Sequence, residues 1–174
     1  MLRLCGFGLV ILTLAHALYL PVTKFPETTT PGGGDNPYGF TCPDGWTMHS
    51  TQCLLFVPQN LTWEEARRNC YAKGQHSLAS VFTDTQTWEI YREMKKAGHL
   101  DGRVWVGGSR ATANSTWSWE ENIFSLGISE FCSGESTHHE NNCLQLILDG
   151  SGSGCVEALQ CDRKLPSVCG KILY

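Results

Sequence analysis

A chain of 174 residues with nine cysteines and a formal charge of −4 suits one compact domain with terminal extras. It lacks the basic excess that a nucleic-acid partner needs, so nucleic acid is excluded as a ligand class.

Met1-Leu2-Arg3 supplies a short positive start, Leu4 to Ala15 is nearly all apolar, and Ala15-His16-Ala17 offers the small residues that a signal peptidase reads. Residues 1–17 are therefore expected to be a signal peptide, cleaved after Ala17. A membrane anchor needs about 20 apolar residues to cross the hydrocarbon, and this run stops short of that. No later segment comes closer, so the product is expected to be secreted, extracellular and without a membrane anchor. Cleavage removes Cys5 and Arg3, which leaves eight cysteines and a charge of −5. An even count in an exported chain reads as four disulfides.

Residues 18–40 hold Pro21, Pro26, Pro31, Thr28-Thr29-Thr30 and Gly32-Gly33-Gly34, too little apolar area to offset the entropy of ordering them. This stretch is expected to be a flexible leader, and the domain to occupy residues 41–174, opening at Cys42-Pro43-Asp44-Gly45-Trp46.

Along the domain, Cys53 to Val57 reads as a strand. Thr62 and Glu65 have capping-box spacing, and Trp63, Ala66 and Cys70 recur at helical intervals, which predicts a helix over Trp63–Lys73. Thr83 and Gln86 repeat the capping pattern, Trp88, Tyr91 and Met94 give a second apolar face, and Gly98 supplies a stop. Such aromatic stripes read as core, not as cofactor contacts. Further strands are expected at Val104–Val106, Thr116–Trp119, Cys143–Leu148 and Val168–Leu173. Two helices among short antiparallel strands give an α+β class.

Several motifs resemble the C-type lectin-like domain family. Trp105-Val106-Gly107-Gly108 is similar to its W-I-G-G/L core motif, Trp117-Ser118-Trp119 to its W-x-W strand, and Pro166-Ser167-Val168-Cys169 to its closing P-F-I-C. The resemblance covers the chain from about Cys42 onward and implies the long form, with Cys42 bonded to Cys53, Cys70 to Cys169 and Cys143 to Cys161. Phe131-Cys132-Ser133-Gly134-Glu135 and Cys155-Val156-Glu157-Ala158-Leu159-Gln160-Cys161 resemble phrases of soluble fish lectins, such as the ladderlectins, and of type II antifreeze proteins. In that subgroup the extra cysteines join each other, which implies Cys132 bonded to Cys155. Such a bond would staple the polar region from Gly127 to Gly154, and the Cys155–Cys161 segment reads as a doubly anchored loop.

In calcium-using members of the family, the sugar site is an ion held by a Glu-Pro-Asn loop, a Glu before a conserved cysteine and an Asn-Asp pair. At the matching positions this chain has Glu135-Ser136-Thr137, Asn141 and Glu157-Ala158. Calcium takes about six to eight oxygens, several from carboxylates. With the loop asparagine replaced by Thr137 and the aspartate by Ala158, the site reads as degenerate, and neither calcium nor any other cofactor is expected. The competing reading rebuilds a site from Glu135, Glu140, Asn141 and Glu157. The same loop, with Glu135, Thr137, Glu140 and Asn141 near Phe131, is the candidate ligand-binding surface.

His138-His139-Glu140 lacks the spaced geometry of a zinc site. No nucleophile motif such as G-x-S-x-G occurs, and enzyme activity is not expected. Asn60-Leu61-Thr62 and Asn114-Ser115-Thr116 are glycosylation acceptor patterns. Asn114, in a polar turn, is the favoured one, because Thr62 already has a capping role. The expected function is recognition of a glycan or microbial surface in innate defence. The alternatives are ice binding, or a protein-ligand module without sugar binding, and fold alone does not choose among them.

Overall fold

The structure is a computed structural model that describes residues 39–100, 102–120, 131–132 and 139–173. These fall within one folded unit, Asn36–Tyr174. The expected signal peptide, nearly all of the expected leader, Glu135 and Thr137 lie outside the described residues.

Strands β1 (Thr47–Met48) and β2 (Gln52–Leu61) form an antiparallel hairpin that the Cys42–Cys53 bond closes. Helix α1 (Trp63–Gly74) begins with a complete capping box. The Thr62 hydroxyl accepts from the Glu65 amide at 3.3 Å, and the Glu65 carboxylate accepts from the Thr62 amide at 3.0 Å. A cap of this kind contributes about 1 kcal/mol. The face of Trp63, Ala66 and Cys70 is buried, and Cys70 is bonded to Cys169.

After the short strand β3 (Ser77–Leu78) comes helix α2 (Asp84–Lys96), capped by Thr83. Gln86 is used differently from a closed box, because its side-chain oxygen accepts from the Phe82 amide at 2.7 Å, one residue before the cap. Gly98, at φ 81°, follows the end of the helix.

The remaining strands are β4 (Gly102–Ser109), β5 (Ser118–Trp119), β6 (Asn141–Leu148), β7 (Gly154–Gln160) and β8 (Leu165–Ile172). The described strands form a single eight-stranded sheet in the order β1-β2-β8-β4-β6-β7, with β3 on β8 and β5 on β4. One pairing is parallel, Trp105 against Ser167 where β4 meets β8, so the sheet is mixed. The two helices cover opposite faces. Val104, Val106, Leu144 and Leu146 pack with Ile90, Tyr91 and Met94 of α2, while Trp105, Cys143 and Cys169 pack with Trp63, Ala66 and Cys70 of α1. Strands buried on both sides lose the alternation that marks a half-exposed sheet.

The strands differ from expectation in several places. The strand expected at Thr116–Trp119 shrinks to Ser118–Trp119, which pairs only with Gly108 and Ser109. The last strand starts at Leu165, not Val168, because Leu165 and Ser167 pair with Leu61 and Val57, and it ends at Ile172. The segment read as an anchored loop from Cys155 to Cys161 is largely β7, paired with β6 from Gly154 opposite Leu148 to Gln160 opposite Asn141. Within the region expected to need stapling, residues 141–148 are thus a strand held on both sides.

The hairpin is fastened to α2 by a carboxylate. Glu89 accepts from Ser50 Oγ at 2.7 Å, from the Thr51 amide at 2.9 Å and from the Thr51 hydroxyl. Burial pushes this carboxyl up, but the bonds from Thr51 and Ser50 outweigh it and hold the group below its ordinary value. A depressed carboxyl contributes stability that is fully present above its unfolded pKa of about 4.3 and is lost as pH falls through the lower folded value. Glu89→Gln is therefore expected to cost about 1–3 kcal/mol at pH 7. Thermal melts should show that gap narrowing as pH falls below the unfolded value of about 4.3 and the wild-type carboxylate protonates. An unchanged gap at acid pH would remove Glu89 as its source.

Candidate functional site

The family's ligand region corresponds to the end of β6 and β7 where Asn141 faces Gln160. An arginine organises this end. Arg110, just past β4, is 6% exposed, and each part of its guanidinium has a partner. Nε donates to Asn142 Oδ1 at 3.1 Å, one terminal nitrogen to the Asn141 carbonyl at 3.0 Å and the other to the Ala113 carbonyl at 3.1 Å. Its backbone amide donates to the Asn142 carbonyl at 2.9 Å.

The guanidinium lies 4.6 Å from the Trp117 ring centre, in cation–π range. Trp117 in turn contacts Phe131, with ring centres 6.1 Å apart. Phe131 bridges Val156 of β7, the Cys132 amide donates to the Val156 carbonyl at 3.0 Å, and Cys132 is bonded to Cys155. Cys143 and Cys161 join the neighbouring ends of β6 and β7. A cation, an aromatic pair and two disulfides thus fix segments that have little apolar surface of their own.

The candidate ligand residues are placed as follows. Glu140 is exposed, and Asn141 is partly buried with its carbonyl committed to Arg110. Glu157 points to the α1 side of β7, where its carboxylate accepts from Gln145 Nε2 at 2.8 Å and lies 4.0 Å from Arg103 Nη1. Ala158 is 4% exposed and belongs to the core cluster that α2 covers. Asn60 and Asn114 are both exposed, so both acceptor patterns present an accessible amide. Glu135 and Thr137 lie outside the described residues.

A calcium ion does not fit the described residues. The position that should supply a second carboxylate is an alanine turned into the core, Glu157 is engaged by an amide and an arginine, and the Asn141 carbonyl already binds a fixed positive charge. Hard divalent cations need several uncommitted oxygens. Among the described residues, no group of three or more His, Cys, Asp or Glu is arranged to hold a metal.

Sequence reasoning missed Arg110. An isolated arginine after a strand carries no pattern, and only the fold brings Asn141, Asn142 and Trp117 to it.

The geometry defines a disulfide-braced fold with a mixed sheet between two helices. The chain belongs to the family of lectin C-type domains, whose model matches residues 59–171. A type-2 ice-structuring protein of Brachyopsis segaliensis is 27% identical over 130 residues, 75% of this chain and 72% of that one. The galactose-specific lectin nattectin of Thalassophryne nattereri is 31% identical over 81 residues, 47% of this chain and 50% of that one. Among solved structures, a calcium-independent type II antifreeze protein superposes with a TM-score of 0.62 at 26% identity, covering 77% of this chain and 96% of that one. Human lithostathine reaches 0.65 at 23% identity over 76% and 92%, a likeness of fold. No helix among the described residues is long and apolar enough to cross a membrane.

Proposed function

We propose that the chain is an exported recognition protein that binds carbohydrate or a microbial surface in host defence and does so without calcium. Export is supported by the apolar segment over residues 1–17 and by four disulfides, which persist in oxidising compartments. The observation that carries calcium independence is Arg110, a fixed cation that ties together Asn141, Asn142 and Ala113. Carbohydrate as the ligand is supported by the likeness to a galactose-specific lectin. Ice binding is the second reading, favoured by the longer match to an ice-structuring protein. Against it, ice favours a flat array of small groups, and this region carries Glu140 beside His139.

A glycan array run with and without EDTA, beside a thermal hysteresis assay on the same protein, separates the two. Glycan binding that EDTA leaves unchanged is the expected result, and hysteresis with a blank array would overturn the reading. Calcium is also expected to leave stability alone. A metal that binds only the native state adds RT ln(1 + [L]/Kd), a few tenths of a kcal/mol for a millimolar site at about millimolar calcium and roughly 4 for a micromolar one. Melting temperatures in excess EDTA and in about 5 mM CaCl2 should differ by less than roughly 2 °C. A larger rise would return Glu135, Glu140, Asn141 and Glu157 to the list of ligands.

A further inference from the structure

Helical spacing assigns Trp88 to the apolar face of α2, but the structure corrects this. The buried face is made by Thr87, Ile90, Tyr91 and Met94, and Trp88, at its edge, is 46% exposed. Its indole stacks on Tyr91 with ring centres 5.2 Å apart and an interplanar angle of 29°. The Tyr91 hydroxyl donates to the Gly150 carbonyl at 2.8 Å, which ties the aromatic pair to the turn between β6 and β7.

That turn is shaped to meet the indole. Gly152 has φ 98°, and a Cβ there would lie 2.1 Å from two indole carbons, so only glycine permits both the conformation and the approach. Asp149 fixes the turn by accepting from the Ser151 amide at 2.8 Å and the Ser151 hydroxyl at 2.7 Å. Between turn and helix is an open cleft of about 380 Å³, lined by Asp84, Thr87, Trp88, Ser151, Gly152 and Ser153.

The cleft combines one large aromatic surface with a carboxylate and hydroxyls, and none of its lining residues is a lysine or arginine. An anion would meet Asp84 unscreened, and an alkyl chain would find too little apolar wall. A pyranose answers both halves of the lining, with its C–H face on the indole and its hydroxyls donating to Asp84. The volume lies near the lower end of the range for small-ligand sites, about 300–1,000 Å³, which suits a terminal sugar and not a long chain. The cleft sits at the Leu148 end of β6, whereas Arg110 holds the Asn141 end, about 23 Å away along the strand.

We propose that the cleft between Trp88 and the 149–153 turn is a neutral-saccharide site separate from the Asn141 end of β6 that Arg110 organises. The proposal builds on the carbohydrate reading above. The test is an NMR titration of the intact protein with glucose, galactose, mannose and N-acetylglucosamine, following the Trp88 indole N–H, assigned by its loss in Trp88→Phe, and the backbone amides of Ser151, Gly152 and Ser153, which line the cleft and remain as reporters in Trp88→Ala. A saturable shift with millimolar Kd is expected for at least one sugar, weakened at least about tenfold by Trp88→Ala and about threefold by Asp84→Asn. Both side chains are exposed, and an unchanged Tm verifies that each variant is folded.

The proposal fails if no sugar shifts this resonance, if affinity survives Trp88→Ala, or if only tetramethylammonium saturates the site. The last result would assign the aromatic and carboxylate pair to a cation. Array binding beside unshifted Trp88 and 151–153 signals would sink the cleft and leave the carbohydrate reading standing. A blank array with a saturating Trp88 signal would support the cleft and remove the surface-glycan reading.

Discussion

Replacing Cys70 and Cys169 together by alanine is expected to lower stability by about 4–5 kcal/mol, the largest effect of removing any one of the four bonds. Their sequence separation is 99, against 11, 18 and 23 for the others. The entropy that a cross-link withholds from the unfolded chain grows with the loop it closes. Both cysteines are fully buried where α1 meets β8, so the double variant also leaves a void in that cluster. The Cys132–Cys155 bond closes a shorter loop, and its loss should cost about 3 kcal/mol and act mainly on the segment beside Val156. Urea unfolding of the two double variants gives the comparison. A loss at Cys70–Cys169 no greater than at Cys132–Cys155 would show that loop closure does not rank these bonds.

The parts of the fold legible in the sequence were those whose cause is local. Thr62 and Glu65 stand three apart and close a capping box on each other, so α1 could be placed from four residues. The strand β7 was not legible in this way. Its buried side chains, Val156 and Ala158, are small and flank a glutamate, and two cysteines near its ends suggested staples on a loop. What makes it a strand is pairing to β6, a contact made outside the segment. Trp88 was misplaced for a related reason. Helical period finds the apolar stripe but not its edge, and the edge is set by how far the 149–153 turn reaches across α2. At the candidate site the sequence offered, through its family resemblance, positions at which calcium ligands are expected to have changed. It carried no sign of what holds the Asn141 end of β6, because Arg110 is 31 residues from Asn141 along the chain.

Arg110→Met is expected to destabilise the domain by about 3–4 kcal/mol, with the loss concentrated at the Asn141 end of β6. Methionine keeps much of the stem volume but removes the charge and the side-chain donors. Asn142 Oδ1 and the carbonyls of Asn141 and Ala113 then lose their partner in a partly buried place. Hydrogen bonds to a charged group are worth about 1.5–3 kcal/mol each, and a desolvated cation–π contact about 2, but groups sharing one side chain do not add fully. Arg110→Lys separates charge from shape. An ammonium restores a positive centre but cannot span three acceptors or lie flat on Trp117, so it should recover less than half of the loss. Exchange of the residue 110 amide, which donates to the Asn142 carbonyl, and of the Ser115 amide should rise in both variants, while Ile90 and Met94 on α2 stay protected. If Arg110→Met costs under about 1 kcal/mol, or if Lys restores full stability, the guanidinium is not what organises the Asn141 end of β6. Addition of about 5 mM CaCl2 to Arg110→Met completes the test. With Ala158 turned inward and Glu157 held by Gln145, removing the cation leaves too few free oxygens for the metal to take its place, so no recovery is expected.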